Sequence, residues 1–424
     1  MLHHLACNDL TGKGTVMDNG TAHPRMLADC KVLDFTQYLA GPTVTRLMAE
    51  MGANIIKVEP GPGGDPSRLL PFLKDGRSGY FVQQNRGKKS LCIDFNKPEG
   101  LDVIRALVKT VDVVVENFGP GVMEKRSLDY ASLKQLNPKI IMVSISAFGR
   151  KSPLSHKVGY DLIAQAFSGI MHMTGEADGP PQFVGLGIAD VGSGVHAFAA
   201  LGYALYYREK TGVGQHIDLA MVDALYHMHE VNVQVHTLSG GAYVPKRAGS
   251  HHPLVCPVGT FKGPQGWIVI LVLDRQWESL CRAMGKLELF TDPRFATGAD
   301  RGKNQAELIS IIEAWLQSFP SDEAALKVMD EYRIACAPVM SIVDSLAHPY
   351  FKARDMVRTV PDPILGEITI PGFPFKYSEF PELPDIQAPL LGEHNAEVLS
   401  TYLGYTAEQV AELRSQAILF AGDR

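Results

Sequence analysis

Cysteine is scarce in this chain, with six residues among 424, and positions 7, 30, 92, 256, 281 and 336 lie too far apart for the paired spacing of a zinc ribbon or a redox motif. Scattered thiols in a chain of this size predict a reducing compartment, hence a cytoplasmic protein. An excess of one charge is also missing. Forty basic against 46 acidic side chains leave a net charge of −6, so no general attraction to nucleic acid or to an anionic membrane is expected. Nor is there a long unbroken apolar run. The most apolar stretch, residues 186–207, contains Asp190, His196 and several glycines, and is expected to be a buried core segment rather than a bilayer span. The first residues show neither the apolar centre of a secretory signal nor the arginine-rich character of a transit peptide, and residues 1–27 are expected to be a loose extension.

Two nucleotide motifs are absent as well. The turn after the first strand-like run reads QYLAGP where a dinucleotide fold would place GxGxxG, and no P-loop pattern occurs. The glycines of GPGGD at 61–65 follow the second run and shape a turn. Histidines do cluster at HMHE, 227–230, but His227 and His229 would point to nearly opposite faces of a helix, with no carboxylate or cysteine to complete a tetrahedral set. No metal site is predicted.

From Lys31 onward, short β-branched runs alternate with helical periods: KVLDFT, a helix from about Pro42, ANIIKVE, SLCIDF, a helix from about Pro98, DVVVEN and KIIMVSISAF. This alternation predicts an α/β fold with a doubly wound parallel sheet, whose ligand crevice opens beyond the carboxyl ends of the strands. The glycine- and proline-rich break SGGAYVPKRAGSHHP ends that domain. The expected organisation is an extension (1–27), a large domain (28–237), a linker or lid loop (238–253) and a small α+β domain (254–341). A proline-rich extended return linker (342–392) and a C-terminal helical segment packing back on the large domain (393–424) complete it.

Within GPPQFVGLGIADVGSGVHAFAALGYALYYREKTGVGQ, 179–215, Asp190 interrupts a glycine-lined apolar run just ahead of a helix expected to start near Gly194. There it is either an N-cap or a functional carboxylate, and the helix's amide donors and positive dipole end would keep it ionised. Gly185, Gly187, Gly192 and Gly194 suggest that something bulky approaches the backbone closely. A carboxylate so held can attack an activated acyl group.

The segments VLDFTQYLAGP (32–42), GANIIKVEP (52–60), ENFGPG (116–121), GYDLIAQAFSG (159–169), TGVGQ (211–215) and APLLGEH (388–394), together with the Asp190 segment, resemble the family III CoA-transferases, from about residue 28 to the end of the chain. The resemblance implies that Asp190 attacks an acyl-CoA thioester to give an aspartyl-acyl anhydride, with amides near Gly192 holding the developing oxyanion. It implies CoA contacts at Leu39, Ala40, Ile93, Asp94, Asn117, Phe118, Gly119, Lys125, Tyr160 and Asp161. Arg86, Lys88, Lys89, Lys125 and Arg126 are candidates for the CoA phosphates. No cofactor beyond CoA as substrate and product is implied, and the assembly would be an interlaced homodimer of ring-like subunits.

Formyl-CoA transferases carry a glutamine where this chain has Leu39 and an arginine where it has Pro60, and the loss of the glutamine argues against the small formyl and oxalyl groups. Tyr38, Leu39, His251 and His252 are candidates for the acyl pocket, and Gly240 and Gly241 for its lid, compatible with a dicarboxylic, aryl or other medium-sized acid. The same superfamily includes α-methylacyl-CoA racemases, which place a histidine where this chain has Tyr160, and an unperturbed tyrosine, titrating near pH 10, is a poor α-proton base. A non-catalytic CoA-binding subunit of a related heteromer is a third reading.

Overall fold

Residues 15–18, 21–70, 72–380, 384 and 386–422 are described by the computed structural model. The expected N-terminal extension lies largely outside them. Within it, Thr15–Asp18 and Thr21–Pro24 pair as an antiparallel hairpin.

The chain divides into two units. One comprises the residues up to Ser168, Gly185–Glu230 and Tyr350 onward; the other comprises Gly169–Val184 and Val231–Pro349. In the first unit the elements run β1 (Lys31–Asp34), α1 (Ala40–Glu50), β2 (Asn54–Pro60), α2 (Gly79–Asn85), β3 (Lys88–Ile93), α3 (Pro98–Val108), β4 (Val113–Glu116), α4 (Tyr130–Leu136), β5 (Ile141–Ser146), α5 (Asp161–Phe167), α6 (Ile188–Thr211), β6 (His216–Ala220) and α7 (Met221–His227).

The six strands pair in the order β6-β5-β4-β1-β2-β3, and every neighbouring pair is parallel. Strands covered by helices on both faces read as continuous apolar runs, and all four residues of β4 are buried. Leu33, Ile56, Leu91, Val114 and Met142 of successive strands pack with Ile104 and Leu107 of α3 into one core. After β3 the winding reverses and β4 returns to the far side of β1. The loops leaving β1 and β4 therefore diverge, and a crevice opens between them.

The 24-residue α6 is apolar and long enough to span a membrane by length and composition, but only one of its faces is buried. Ala189, Ser193, Gly194, Ala197, Leu201 and Ala204 face the core, whereas Val191, Val195, Tyr203 and Tyr206 are exposed, which corrects the expectation of a wholly buried segment. The buried stripe is made of small residues because α1 lies against it. A Cβ on Gly194 would stand 2.6 Å from the Ala40 carbonyl oxygen.

The second unit continues with β7 (Val258–Lys262), β8 (Trp267–Leu271), α8 (Trp277–Ala283), α9 (Gln305–Leu316), α10 (Asp322–Glu331) and β9 (Ala335–Pro338), forming an antiparallel sheet β7-β8-β9. Along β8 exposed and buried residues alternate strictly, so Ile268 and Ile270 reach the core with Trp277, Leu280 and Ile312 while Trp267, Val269 and Leu271 face outward. Residues 169–184 join this unit through the bonds Arg247 Nη1 to the His172 carbonyl (2.9 Å) and Gly249 N to the Gly175 carbonyl (3.1 Å). These pairings are long-range, so the large domain expected as continuous over 28–237 is in fact interrupted.

The proline-rich stretch 342–392 is not extended throughout. Ile342–Ala347 and Pro349–Ala353 are helical, and β10 (Val357–Asp362) pairs with β11 (Gly366–Pro371). A two-stranded ribbon leaves one edge of each strand open, so Pro361 and Pro371 cost few ladder bonds. The chain closes with α11 (Asn395–Leu403) and α12 (Ala407–Ser415), whose Val398, Leu399 and Val410 join the main core.

Candidate active site at the switch of the sheet

The loops after β1 and β4 are clamped together at their bases. The Asn117 side chain accepts from Gln37 N and donates to the Gln37 carbonyl, both at 2.8 Å. Beyond the clamp lies a cleft of about 180 Å³, walled by Tyr38, Leu39 and Ala40 on one side and Asn117, Phe118 and Gly119 on the other. Tyr160, Lys157, Arg150 and Asp190 also face it.

Tyr38 has a φ of 62°, a left-handed conformation that a bulky residue adopts only where its surroundings impose it. Buried charges beneath the loop do so. The Lys57 ammonium donates to the Thr36 carbonyl at 2.8 Å and pairs with Asp65 at 2.8 Å, and Asp65 accepts from Tyr38 N at 3.4 Å. Asp34 accepts from the Thr36 amide (2.8 Å) and hydroxyl (2.5 Å) and pairs with Lys88 at 2.9 Å.

Asp190 is the third residue of α6, whose N-cap is Gly187, so the helix begins at Ile188 rather than near Gly194. The free amides of its first turn are already engaged: Ala189 N (2.7 Å) and Asp190 N (3.1 Å) donate to Asp161 Oδ1, while Gln165 Nε2 holds Asp161 Oδ2 at 2.6 Å. The Asp190 carboxylate itself accepts no hydrogen bond from the described residues, and it is raised to about 7 by burial and, second, by the Asp161 charge. The helix end therefore neutralises Asp161 instead of keeping Asp190 ionised, contrary to the sequence expectation. Gly192 lies inside the helical ladder, where its amide is not available to an oxyanion.

The glycines mostly admit protein rather than ligand. A Cβ on Gly187 would meet Leu39 Cδ2 at 2.8 Å and one on Gly192 would meet Met228 Cε at 3.0 Å, whereas Gly185 faces open space.

This arrangement makes a pH prediction. With Asp190 in the role of nucleophile that the resemblance implies, kcat/KM should fall with slope one on the acid side, with a midpoint at about pH 7 in the free enzyme. Asp161→Asn keeps the oxygen that receives the two amides and removes the charge, so the midpoint should move to lower pH. A wild-type midpoint in the ordinary carboxylate range near pH 4 would contradict the geometry.

Of the predicted residues, Tyr38, Leu39, Ala40, Asn117, Phe118, Gly119, Tyr160 and Asp190 meet around the cleft, and Asp161 stands directly behind Asp190. Ile93 is buried in the core, Asp94 accepts from Asn96 N at 3.0 Å, and neither lines the cleft. Lys125 is exposed on a short helical turn outside it. Arg86 and Lys88 are buried against Glu50 and Asp34 and cannot reach a phosphate. Lys89 pairs with Glu397 at 2.6 Å, and Arg126 holds Asn96 at 2.5 Å and the Val122 carbonyl at 2.9 Å.

The cations facing the cleft are two that sequence reasoning passed over. Arg150 grips both Glu116 oxygens at 2.7 Å and the Phe118 carbonyl at 3.0 Å, and Lys157 is exposed. Tyr80 does not line the cleft; burial and, after it, the charges of Asp190 and Asp65 raise its pKa.

Gly240, Gly241, His251 and His252 belong to the second unit. The two glycines take φ values of 62° and 85°, His251 stands edge-on to Phe261, and His252 Nδ1 accepts from Leu254 N (3.1 Å) and Val255 N (3.0 Å), shaping a turn. Among the described residues no three His, Cys, Asp or Glu side chains converge as a metal site, and His229 Nε2 bonds the Ser168 carbonyl at 2.9 Å.

The chain resembles proteins of known activity over nearly its whole length. It is 37% identical over 401 residues to the succinyl-CoA–D-citramalate CoA-transferase of Chloroflexus aurantiacus, covering 93% of this chain and 98% of that one. It is 40% identical over 384 residues to the succinyl-CoA:mesaconate CoA-transferase of Haloarcula hispanica, covering 88% and 95%. The crystal structure of a CAIB/BAIF family protein from Brucella suis superposes with a TM-score of 0.78 at 35% identity, covering 89% of this chain and 99% of that one. With residues 27–395 also matching the sequence model of CoA-transferase family III, the chain belongs to that family and is a CoA-transferase.

Proposed function

We propose that the enzyme moves CoA between dicarboxylic acids through a covalent anhydride on Asp190. The carrying observation is the Asp190 carboxylate itself, facing the cleft at the sheet's switch with no protein donor to lower its nucleophilicity. An Asp190 oxygen attacks the thioester carbonyl, the C–S bond breaks, and CoA leaves as thiolate from a mixed anhydride. The thiolate then attacks the Asp190 carbonyl and releases the first acid, leaving an aspartyl thioester. The acceptor carboxylate displaces the thiolate to form a second anhydride. The thiolate attacks the acceptor's carbonyl, giving the new acyl-CoA and restoring the Asp190 carboxylate.

A dicarboxylic acyl group is supported by the names of both relatives and by Lys157, the exposed cation at the cleft that could take a second carboxylate. Tyr160 in the place of a racemase histidine, together with the full-length relatives, sets racemisation aside.

A homodimer would cover apolar side chains that the chain leaves open, since Leu162, Ile163 and Phe167 of α5 and Tyr203 and Tyr206 of α6 are about half or more exposed. Light scattering should give twice the chain mass.

The mechanism is tested with succinyl-CoA and a panel of acceptors carrying ¹⁸O in both carboxyl oxygens. One labelled atom should appear on the Asp190 peptide after a single turnover by the purified chain alone. Turnover that leaves Asp190 unlabelled would exclude the anhydride, and activity that requires a second chain would favour a heteromer.

A further inference from the structure

Arg150 faces the cleft, yet its charge is already taken. Its Nη2 donates to both oxygens of Glu116 at 2.7 Å and to the Phe118 carbonyl at 3.0 Å, and Nη1 reaches the Gly119 carbonyl at 3.5 Å. Glu116, the last residue of β4, completes the ring by accepting from Phe118 N at 2.9 Å. Its side chain is 1% exposed and that of Arg150 13%. Each charge of such a pair cancels the other, and the geometry persists because parting them would strand a buried ion.

The root of the arginine is fixed as well. Arg150 N donates to both oxygens of Asp218 in β6, at 2.9 and 3.0 Å, and Gly149 N donates to the Ser146 hydroxyl at 3.0 Å. Three neighbouring strands therefore converge on one short segment. Glu116 comes from β4, the turn bearing Arg150 follows β5, and Asp218 of β6 anchors that turn. The segment they hold, Phe118 and Gly119, lines the cleft, whereas Glu116 and Asp218 do not. Gly119 has no atom within 4 Å of where its Cβ would stand, so its bare backbone lies open.

We infer that Arg150 and Glu116 are a positioning pair for CoA: they hold the Phe118 and Gly119 peptides in the shape that receives it, and neither binds its charge, resting on the reading that CoA lies along this wall. An arginine that bound a phosphate of CoA directly would be strengthened by removal of its competing carboxylate. A positioning arginine is disarmed by the same change. The two roles thus predict effects of opposite sign for Glu116→Gln.

CoA binding is measured by titration calorimetry in the full-length Asp190→Ala enzyme, where no anhydride forms. Glu116→Gln should weaken CoA about five- to tenfold, and Arg150→Gln by the same factor. The double variant should lose no more than either single, because both break one shared device. Burial pushes the Glu116 carboxyl up against the opposing charge of Arg150, so in Arg150→Gln it can take a proton and the fold survives. With Asp190 restored, KM for succinyl-CoA should rise by the factor seen in binding while kcat stays within about threefold. Lys157→Glu reverses an exposed charge at the cleft and marks the site itself, weakening CoA about tenfold. Tighter binding in Glu116→Gln would make Arg150 the anion's own partner, and an additive double variant would mean two separate roles; either overturns the pair. So would variants that melt lower than wild type yet bind CoA equally well, which is the mark of a brace for the fold alone. A loss confined to Lys157→Glu overturns the positioning role and leaves CoA in the cleft, whereas undiminished affinity in every variant removes CoA from the cleft and the pair's role with it.

Discussion

Asp190→Ala should lower CoA transfer by roughly 10⁴-fold or more, since among the described residues no other carboxylate lines the cleft. Asp190→Asn should start equally inactive and regain activity only as fast as the amide is hydrolysed, which mass spectrometry of the peptide would follow. Neither change should harm the fold. Because the native pKa of Asp190 is raised, its stabilising contribution is present below the unfolded pKa and is lost as pH rises through about 7. The asparagine variant should therefore gain in melting temperature over wild type above pH 7 and not below pH 4. Full initial activity in the asparagine variant would remove Asp190 from the mechanism.

Lys57→Met should give the largest loss of stability, about 3–5 kcal/mol by denaturant unfolding, because it strands buried charges that were paired. Lys57 has no exposed side-chain surface and touches Asp65 and the Thr36 carbonyl at 2.8 Å each. Burial alone would raise Asp34, but the charges of Lys88 and Lys57 hold it below its ordinary value. The stability carried by Asp34 is thus present above the unfolded carboxylate pKa and disappears only in acid, as pH falls through the lowered native value. Removing Lys57 should shift acid unfolding to higher pH. The same ions hold Tyr38 in its left-handed turn, so KM should rise in this variant more than kcat falls. Adding Asp65→Asn should recover part of the stability, and a double variant no better than the sum of the singles would show that the two side chains are not coupled.

The doubly wound sheet was legible because each strand is a short β-branched run between helical periods, as in DVVVEN and KIIMVSISAF. Asp190 stood out as a charge in an apolar, glycine-rich frame. Its surroundings did not. Asp161 caps α6 from 29 residues away. Arg86 and Lys88 looked like solvated cations because their partners, Glu50 and Asp34, are distant in sequence. Gly194 suggested a helix start, since glycine is a poor helix interior residue, yet its bare Cα is what lets α1 come close. The hairpin of β10 and β11 was obscured by prolines that an interior strand would reject and an edge accepts.

Asp161 fastens the turn that carries Tyr160 to the first amides of the helix that carries Asp190. The cleft wall and the proposed nucleophile are thus one mechanical piece, and neither can be redesigned alone. Exchanging acid preference between relatives should require residues 158–165 and 185–194 to be grafted together, since a mismatched pair would alter both the aim and the acidity of Asp190.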